Sequence, residues 1–309
     1  MSAISPSLGE VGTAVELFLQ QLFNGLALGS VYGMFALGFG LVFATMGILN
    51  VAHGTFATWG ALIALYAVAG MGLPILPALL IGFVAAGLLG ILVDQVAFEP
   101  LRRKDSGLLG PIITSIGVWI ILGQLALIST NATAQRFPIG TFPEVIIRMG
   151  PFAMAPVQIV NIVVAMILVV AVYWFLQRSR FGSAIRAVGF SADSASLAGV
   201  NPRQVIWLTA FLASSIAGLA GSLSGLATNN VSFVMGESLL LKGFAAVVVG
   251  GFGDVRGAML GGLIIGVSEV LGATYISSSF RDAITFGLLL LFLVFKPRGL
   301  FSEPEHSRA

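Results

Sequence analysis

The sequence predicts an all-α polytopic membrane protein: a bundle of about eight to ten transmembrane helices, one of them short or broken near 239–253. Three observations lead there. Of 309 residues, 57% are apolar and 39 more are glycine, while only 9% are charged, about a third of the share usual in a soluble domain. The apolar residues gather into nine long runs, and basic residues concentrate in a few of the gaps between them. That much apolar surface exceeds what a soluble domain can bury. A soluble enzyme, a nucleic-acid binder and a disordered chain are excluded.

The runs lie at 15–43, 51–69, 75–98, 108–128, 157–176, 205–227, 239–250, 258–273 and 283–295. Most approach the roughly 20 residues needed to cross a bilayer, and the first exceeds it, so it tilts or begins in the interface. No Lys or Arg precedes Arg102. The first run therefore lacks the positive region of a signal peptide and reads as a retained span. The seventh is short and ends at Gly250-Gly251-Phe252-Gly253, a cluster that breaks helices. It is either a short span or a re-entrant half-helix.

Charge placement separates those two readings. Putting the gaps at 102–104 and 178–203 in the cytoplasm satisfies the positive-inside rule. If 239–250 crosses, eleven of the 15 basic residues fall inside, the exceptions being Arg136, Arg148, Lys242 and Arg281. If it only dips in, the basic tail with Lys296 and Arg298 ends outside. The crossing is favoured, giving about nine spans with the N-terminus outside. Small residues at four-residue spacing (Gly25, Gly29, Gly33; Ala217, Gly221, Gly225; Gly253, Gly257, Gly261) are expected to form packing ridges.

Several chemistries have no material. There is no cysteine, and of two histidines His306 lies in a polar tail, so no thiolate or histidine metal site is expected. None of the three lysines sits in a G-x-x-x-x-G-K-[ST] loop, so the chain is not expected to bind ATP in that manner. No HExxH pair or Gly-x-Ser-x-Gly elbow is present, which argues against an intramembrane enzyme.

The longest basic gap, 178–204, reads as a cytoplasmic element of a single membrane domain spanning 1–309. Asn201-Pro202 forms a helix start, with Asn as cap and Pro at the first position. Before it, Ser191 caps a short helix that ends at Gly199. Short helices of small residues flanked by charge suit a groove on a cytoplasmic partner. A solvated loop held by anionic lipid is an equal alternative.

At this loop the sequence resembles the membrane permease subunit of branched-chain amino acid ABC importers, the smaller of the two permease types. Four stretches in order carry the resemblance: 21–60 with its Asn50-x-Ala52-His53-Gly54 core; 184–201 with Ala184-x-Arg186-Ala187 and Leu197-Ala198-Gly199-x-Asn201; 242–269; and 275–301. Thr55 stands where such permeases usually carry an acid, and 191–196 is richer in serine than usual; both departures bear on the substrate. The resemblance implies a bacterial inner-membrane importer of several chains. Its partners would be two ATP-binding subunits, a second homologous permease and an extracytoplasmic substrate-binding protein. The chain itself would need no cofactor. The loop, with Ala184, Arg186, Ala187, Asp193, Leu197 and Gly199, would couple to the ATPase. Related systems carry urea and short amides, which remain alternative substrates.

Polar residues inside spans are expensive and usually face a bundle interior or a water-filled path. The substrate-path candidates are Asn50, His53, Lys242 and Glu269. His53 either gates the path or bonds a carbonyl of a neighbouring helix. Glu269, deepest of the carboxylates, is protonated, paired or path-lining, with Lys242 as candidate partner. A self-sufficient channel or proton-coupled carrier built on that pair is the competing class. Asp94 and Glu99, beside Arg102 and Arg103, read as interfacial charges.

Overall fold

The computed structural model describes residues 8–104, 107, 109–143, 145–149 and 152–301; His306 lies outside them. Twelve α-helices follow one another: α1 (Leu8–Met46), α2 (His53–Met71), α3 (Ile75–Val93), α4 (Glu99–Arg103), α5 (Leu109–Ser129), α6 (Pro156–Arg178), α7 (Arg180–Phe190), α8 (Ala192–Leu197), α9 (Pro202–Thr228), α10 (Met235–Gly250), α11 (Val255–Tyr275) and α12 (Arg281–Phe295). A π-turn over Asp94–Phe98 joins α3 to α4, and a two-stranded antiparallel sheet, β1 (Ile147–Met149) and β2 (Phe152–Met154), precedes α6.

Among the described residues, eight helical stretches are long and apolar enough to cross a membrane. The short α10 adds a ninth traverse. It leaves a segment in which Val231 and Gln135 exchange backbone hydrogen bonds of 2.8 and 2.9 Å, on the side of the α5–α6 connection. It finishes at the opposite end, where Leu300 and Phe301 donate backbone N–H groups to Val249 and Gly250 at 3.0 Å. At 16 residues its axis is about 24 Å long. Of the two readings, the structure has the short crossing. The end carrying Arg102, Arg178, Arg203, Arg256 and Lys296 is called the basic end below, and its opposite the far end.

The middle of the bundle is α1. Its apolar window is 83% buried, against 17%, 11% and 6% for those of α5, α6 and the stretch ending in α12, so the latter three turn their sides outward. At 39 residues α1 is about 58 Å long, well over the roughly 30 Å hydrocarbon thickness. Phe35, Phe39, Met34 and Leu37 project from it into fully buried space.

Small residues decide how near the helices come. Gly25, Gly29 and Gly33 face Gly266, Gly262 and Met259 of α11, and methyl groups on these glycines would collide with the opposing backbone or side chain. Gly60 of α2 meets Gly218 of α9 in the same way, and Gly221 meets Ala57. Without a hydrophobic drive between helices in lipid, such backbone approach is a main source of association. The expected ridge of Gly253, Gly257 and Gly261 is only partly formed. Gly257 and Gly261 pack on Gly250 and Ala246 of α10, but Gly253 sits in the turn before α11 with φ +87°. Asp254 is the reason: its carboxylate accepts from the Arg256 and Gly257 N–H groups and starts α11 after Gly253.

A test of this packing replaces Gly262, whose Cβ would strike the Gly33 backbone. Gly262→Leu is expected to lower the melting temperature in detergent, with a cost of about 1–3 kcal/mol or more from overpacking. Gly70→Ala, where nothing lies within 4 Å, is expected to leave melting unchanged or raise it slightly.

Candidate functional site

The basic end carries the segment singled out in the sequence. Ser179 caps α7, its Oγ accepting from Gly182 N at 2.8 Å, and Ser191 caps α8, accepting from Ser194 N at 3.2 Å. Gly199 takes φ +83° and Asn201 caps α9 through the Arg203 and Gln204 N–H groups. Ser191, Gly199 and Asn201 are the helix boundaries read from sequence; the Ser179 cap and the three-turn α7 that it starts are additions of the structure. Ile185 and Val188 of α7 are buried with Ala195 against Leu41, Val42, Val205 and Ile206, so α7 and α8 lie on the bundle by their apolar side.

Their other side faces outward. Ala187, Asp193 and Gly199 are exposed and Ala184 is half-buried. Leu197 is 90% exposed and Phe190 75%. Arg186 is different, because one guanidinium Nη donates to the Leu176 carbonyl in the last turn of α6 and the other reaches Ser183 Oγ at 3.4 Å. A cation there complements the carbonyl end of α6. Arg186 thus staples α6 to α7 while lying at the surface.

A second constellation lies inside the bundle. Lys242 Nζ stands 2.8 Å from Glu269 Oε1 and 3.1 Å from the Tyr32 hydroxyl, and that hydroxyl donates to Glu269 Oε2 at 3.0 Å. Glu269 is 1% exposed. At the edge of the group, Arg281 Nε is 3.9 Å from Glu269 Oε1 and Asp282 Oδ1 is 3.6 Å from Lys242. Five side chains from α1, α10, α11 and α12 therefore share two positive and two negative charges. The structure brings Lys242 and Glu269 together as the sequence reading allowed, and adds Tyr32, Arg281 and Asp282, which that reading did not place there.

Asn50 and His53 stand at the break between α1 and α2, and both are buried. His53 does not bond a carbonyl. Among the described residues neither ring nitrogen has a hydrogen-bond partner, and the imidazole packs edge-on to Phe35, Phe39 and Phe56 with centroids 5.1, 5.7 and 5.8 Å apart. A side chain on Gly38 would strike the Ala213 carbonyl and crowd His53 Nε2; its absence leaves room for the ring in this aromatic cage. Asn50 Oδ1 also lacks a partner among the described residues. These two are not joined to the Lys242–Glu269 group by any bond among the described residues.

Asp94 and Glu99 are less exposed than an interfacial reading implies. Asp94 is 2% exposed and paired bidentately with Arg102 at 2.7 and 2.8 Å. Glu99 is bonded by Arg103 at 2.7 Å and lies 2.9 Å from Arg203 of α9. The π-turn and α4 are thereby tied to the start of α9.

Among the described residues, eight membrane-length helices and the short α10 between two ends, charges neutralised inside the bundle and two amphipathic helices on a basic end define a class: an integral membrane transport protein. Comparison with known proteins gives the family. Residues 21–293 match the family described as branched-chain amino acid transport system / permease component. The chain is similar to BraD of Pseudomonas aeruginosa, a high-affinity branched-chain amino acid transport system permease protein, with 34% identity covering 93% of this chain and 97% of that one. It is similar to LivH of Escherichia coli K12, a permease protein of the same description, with 32% identity covering 93% and 96%. Among solved structures, PsaBC from Streptococcus pneumoniae in complex with Fab aligns over 91% of this chain and 92% of that chain, at 14% identity and a TM-score of 0.48. The chain belongs to the branched-chain amino acid transport permease family.

The buried group makes a thermodynamic prediction. Lys242→Met or Glu269→Gln alone leaves an unmatched charge and is expected to cost about 3–5 kcal/mol, read as a fall in melting temperature. The double variant is expected to lose less than the sum of the two, the coupling expected of residues in one network.

Proposed function

We infer that this chain is a transmembrane permease subunit of an ATP-driven importer that moves branched-chain amino acids into the cytoplasm across the bacterial inner membrane. The observation that carries this is the similarity to BraD and LivH along 93% of the chain. In this reading ATP is bound and hydrolysed by two partner subunits, a second homologous permease completes the membrane part, and an extracytoplasmic binding protein delivers the amino acid. Placing the basic end in the cytoplasm follows from its excess of Lys and Arg.

The residues divide the work. The segment 178–204 is the coupling element: Ile185, Val188 and Ala195 hold it to the bundle, while Leu197, Ala187, Asp193 and Gly199 face the ATPase. Ala184 and Arg186 act one step back, at the α6–α7 joint. Leu197 at 90% exposure supports this reading, since a large apolar side chain projecting from a polar end suits a pocket on a partner. The amino acid passes on the side of Asn50, His53, Lys242 and Glu269. The ion pair holds α10 to α11 and neutralises the charges there, which suits an aliphatic zwitterionic cargo better than a fixed-charge ion.

Two measurements test this. In proteoliposomes the chain alone is expected to take up no leucine, and ATP-dependent uptake is expected once the second permease, the ATPases and the binding protein are added. ATP-independent uptake by the chain alone would favour the self-sufficient carrier. Within the complete assembly, Leu197→Glu is expected to reduce uptake at least tenfold while the protein still inserts and ATP hydrolysis persists.

A further inference from the structure

We propose that a cavity at the basic end is a regulatory binding site for a small aliphatic amino acid in its zwitterionic form. The cavity, about 270 Å³, lies among α1, α6, α7, α10 and α11. That is just below the roughly 300–1,000 Å³ of pockets for drug-sized ligands, the class of a single amino acid. Its apolar walls are Leu37, Leu41, Ile185, Val247 and Val255. Two charged side chains of opposite sign also line it, Arg186 and Asp254.

Both have capacity left. Asp254 Oδ1 caps α11, at 2.7 Å from Arg256 N and 3.1 Å from Gly257 N, while Oδ2 has no hydrogen-bond partner among the described residues. Arg186 uses one nitrogen on the Leu176 carbonyl and another on Ser183, and a guanidinium carries five N–H donors. A methyl group on Gly40, which lines the cavity, would meet only Val247 Cγ2 at 3.8 Å.

The charge pattern selects the ligand class. An anion, including a lipid phosphate, gains Arg186 but faces the Asp254 carboxylate; a cation faces the reverse. A zwitterion offers its carboxylate to Arg186 and its ammonium to Asp254, with an aliphatic side chain against the leucine and valine walls. That this amino acid is the cargo itself rests on the function proposed above.

The site has a route to control. Arg186 is the staple between α6 and α7, so a carboxylate bound through its spare N–H donors pulls the guanidinium toward the cavity and loosens the joint ahead of Leu197. Amino acid accumulated on the basic side would then slow coupling to the ATPase.

The test uses the assembled transporter in nanodiscs without the external binding protein, with tritiated L-leucine as probe. Wild type is expected to bind leucine, and leucine on the ATP side is expected to lower ATP hydrolysis. Asp254→Asn retains a helix-capping side chain and removes the charge; it is expected to weaken binding at least tenfold and relieve the inhibition. Gly40→Leu, which fills the cavity, is expected to abolish binding. Isocaproate, lacking the ammonium, and isopentylamine, lacking the carboxylate, are expected not to compete. Absence of leucine binding to wild type, or binding unaltered by both variants, overturns the proposal. So does displacement of leucine by phosphatidylglycerol, which would make the occupant a lipid. Leucine uptake by the complete wild-type system, measured alongside, tests the transport reading separately. If uptake is present and binding absent, only the regulatory site fails.

Discussion

Close approach of backbones to α1 is the constraint from which the rest of the bundle follows. In lipid, apolar side chains gain little by leaving one hydrocarbon environment for another, so helices associate by packing and by polar contacts. Gly25, Gly29 and Gly33 let α11 lie directly on α1. That alignment sets Tyr32 beside Glu269, and Lys242 of α10 completes the trio. One glycine ridge thereby supplies both the packing and the register in which buried charges neutralise. Around this centre, α5, α6 and α12 keep broad apolar sides outward, where lipid or a second permease can cover them.

Much of this fold can be read from the residues, for physical reasons. A span must satisfy its backbone internally and stay apolar over about 20 residues, so the first six runs stand out by length alone. Caps are legible because Ser191, Asn201 and Gly199 combine a local hydrogen bond or a left-handed φ with a fixed position. The short α10 is legible only through charge: a dip without a crossing strands the basic tail on the wrong side. The π-turn at Asp94–Phe98 and the small sheet before α6 have no such local signature. The former is held by Arg102 of α4, which pairs with Asp94, and the latter by Gln20, whose amide exchanges hydrogen bonds with Ala153.

The internal charges were half legible. Lys242 and Arg281 are two of the four basic residues that break the positive-inside pattern, and both approach Glu269. An exception to that rule is thus itself a pairing signal, one that would have recovered Arg281 from sequence. Tyr32 gives no comparable sign, since a tyrosine in a span is common and its hydroxyl partner lies 237 residues away. His53 shows the opposite limit. Its polarity suggests a hydrogen bond, while three phenylalanines from α1 and α2 enclose it, a result of how two helices cross rather than of any short motif.

Rigid packing at the centre and an outward-facing amphipathic pair at the basic end suit a protein whose motion is driven from outside. The ion pairs hold α10 and α12 to the core, Arg186 joins α6 to α7, and under the proposed function the exposed surface of α7 and α8 is where force from an ATPase enters. The natural absence of cysteine permits the most direct measurement of that contact: a single Leu197→Cys variant in the complete importer, treated with a short bifunctional cross-linker. The account predicts a covalent adduct with the ATP-binding subunit and protection of the thiol from a soluble maleimide when that subunit is present. Equal maleimide labelling with and without the ATP-binding subunit, and no adduct, would contradict it.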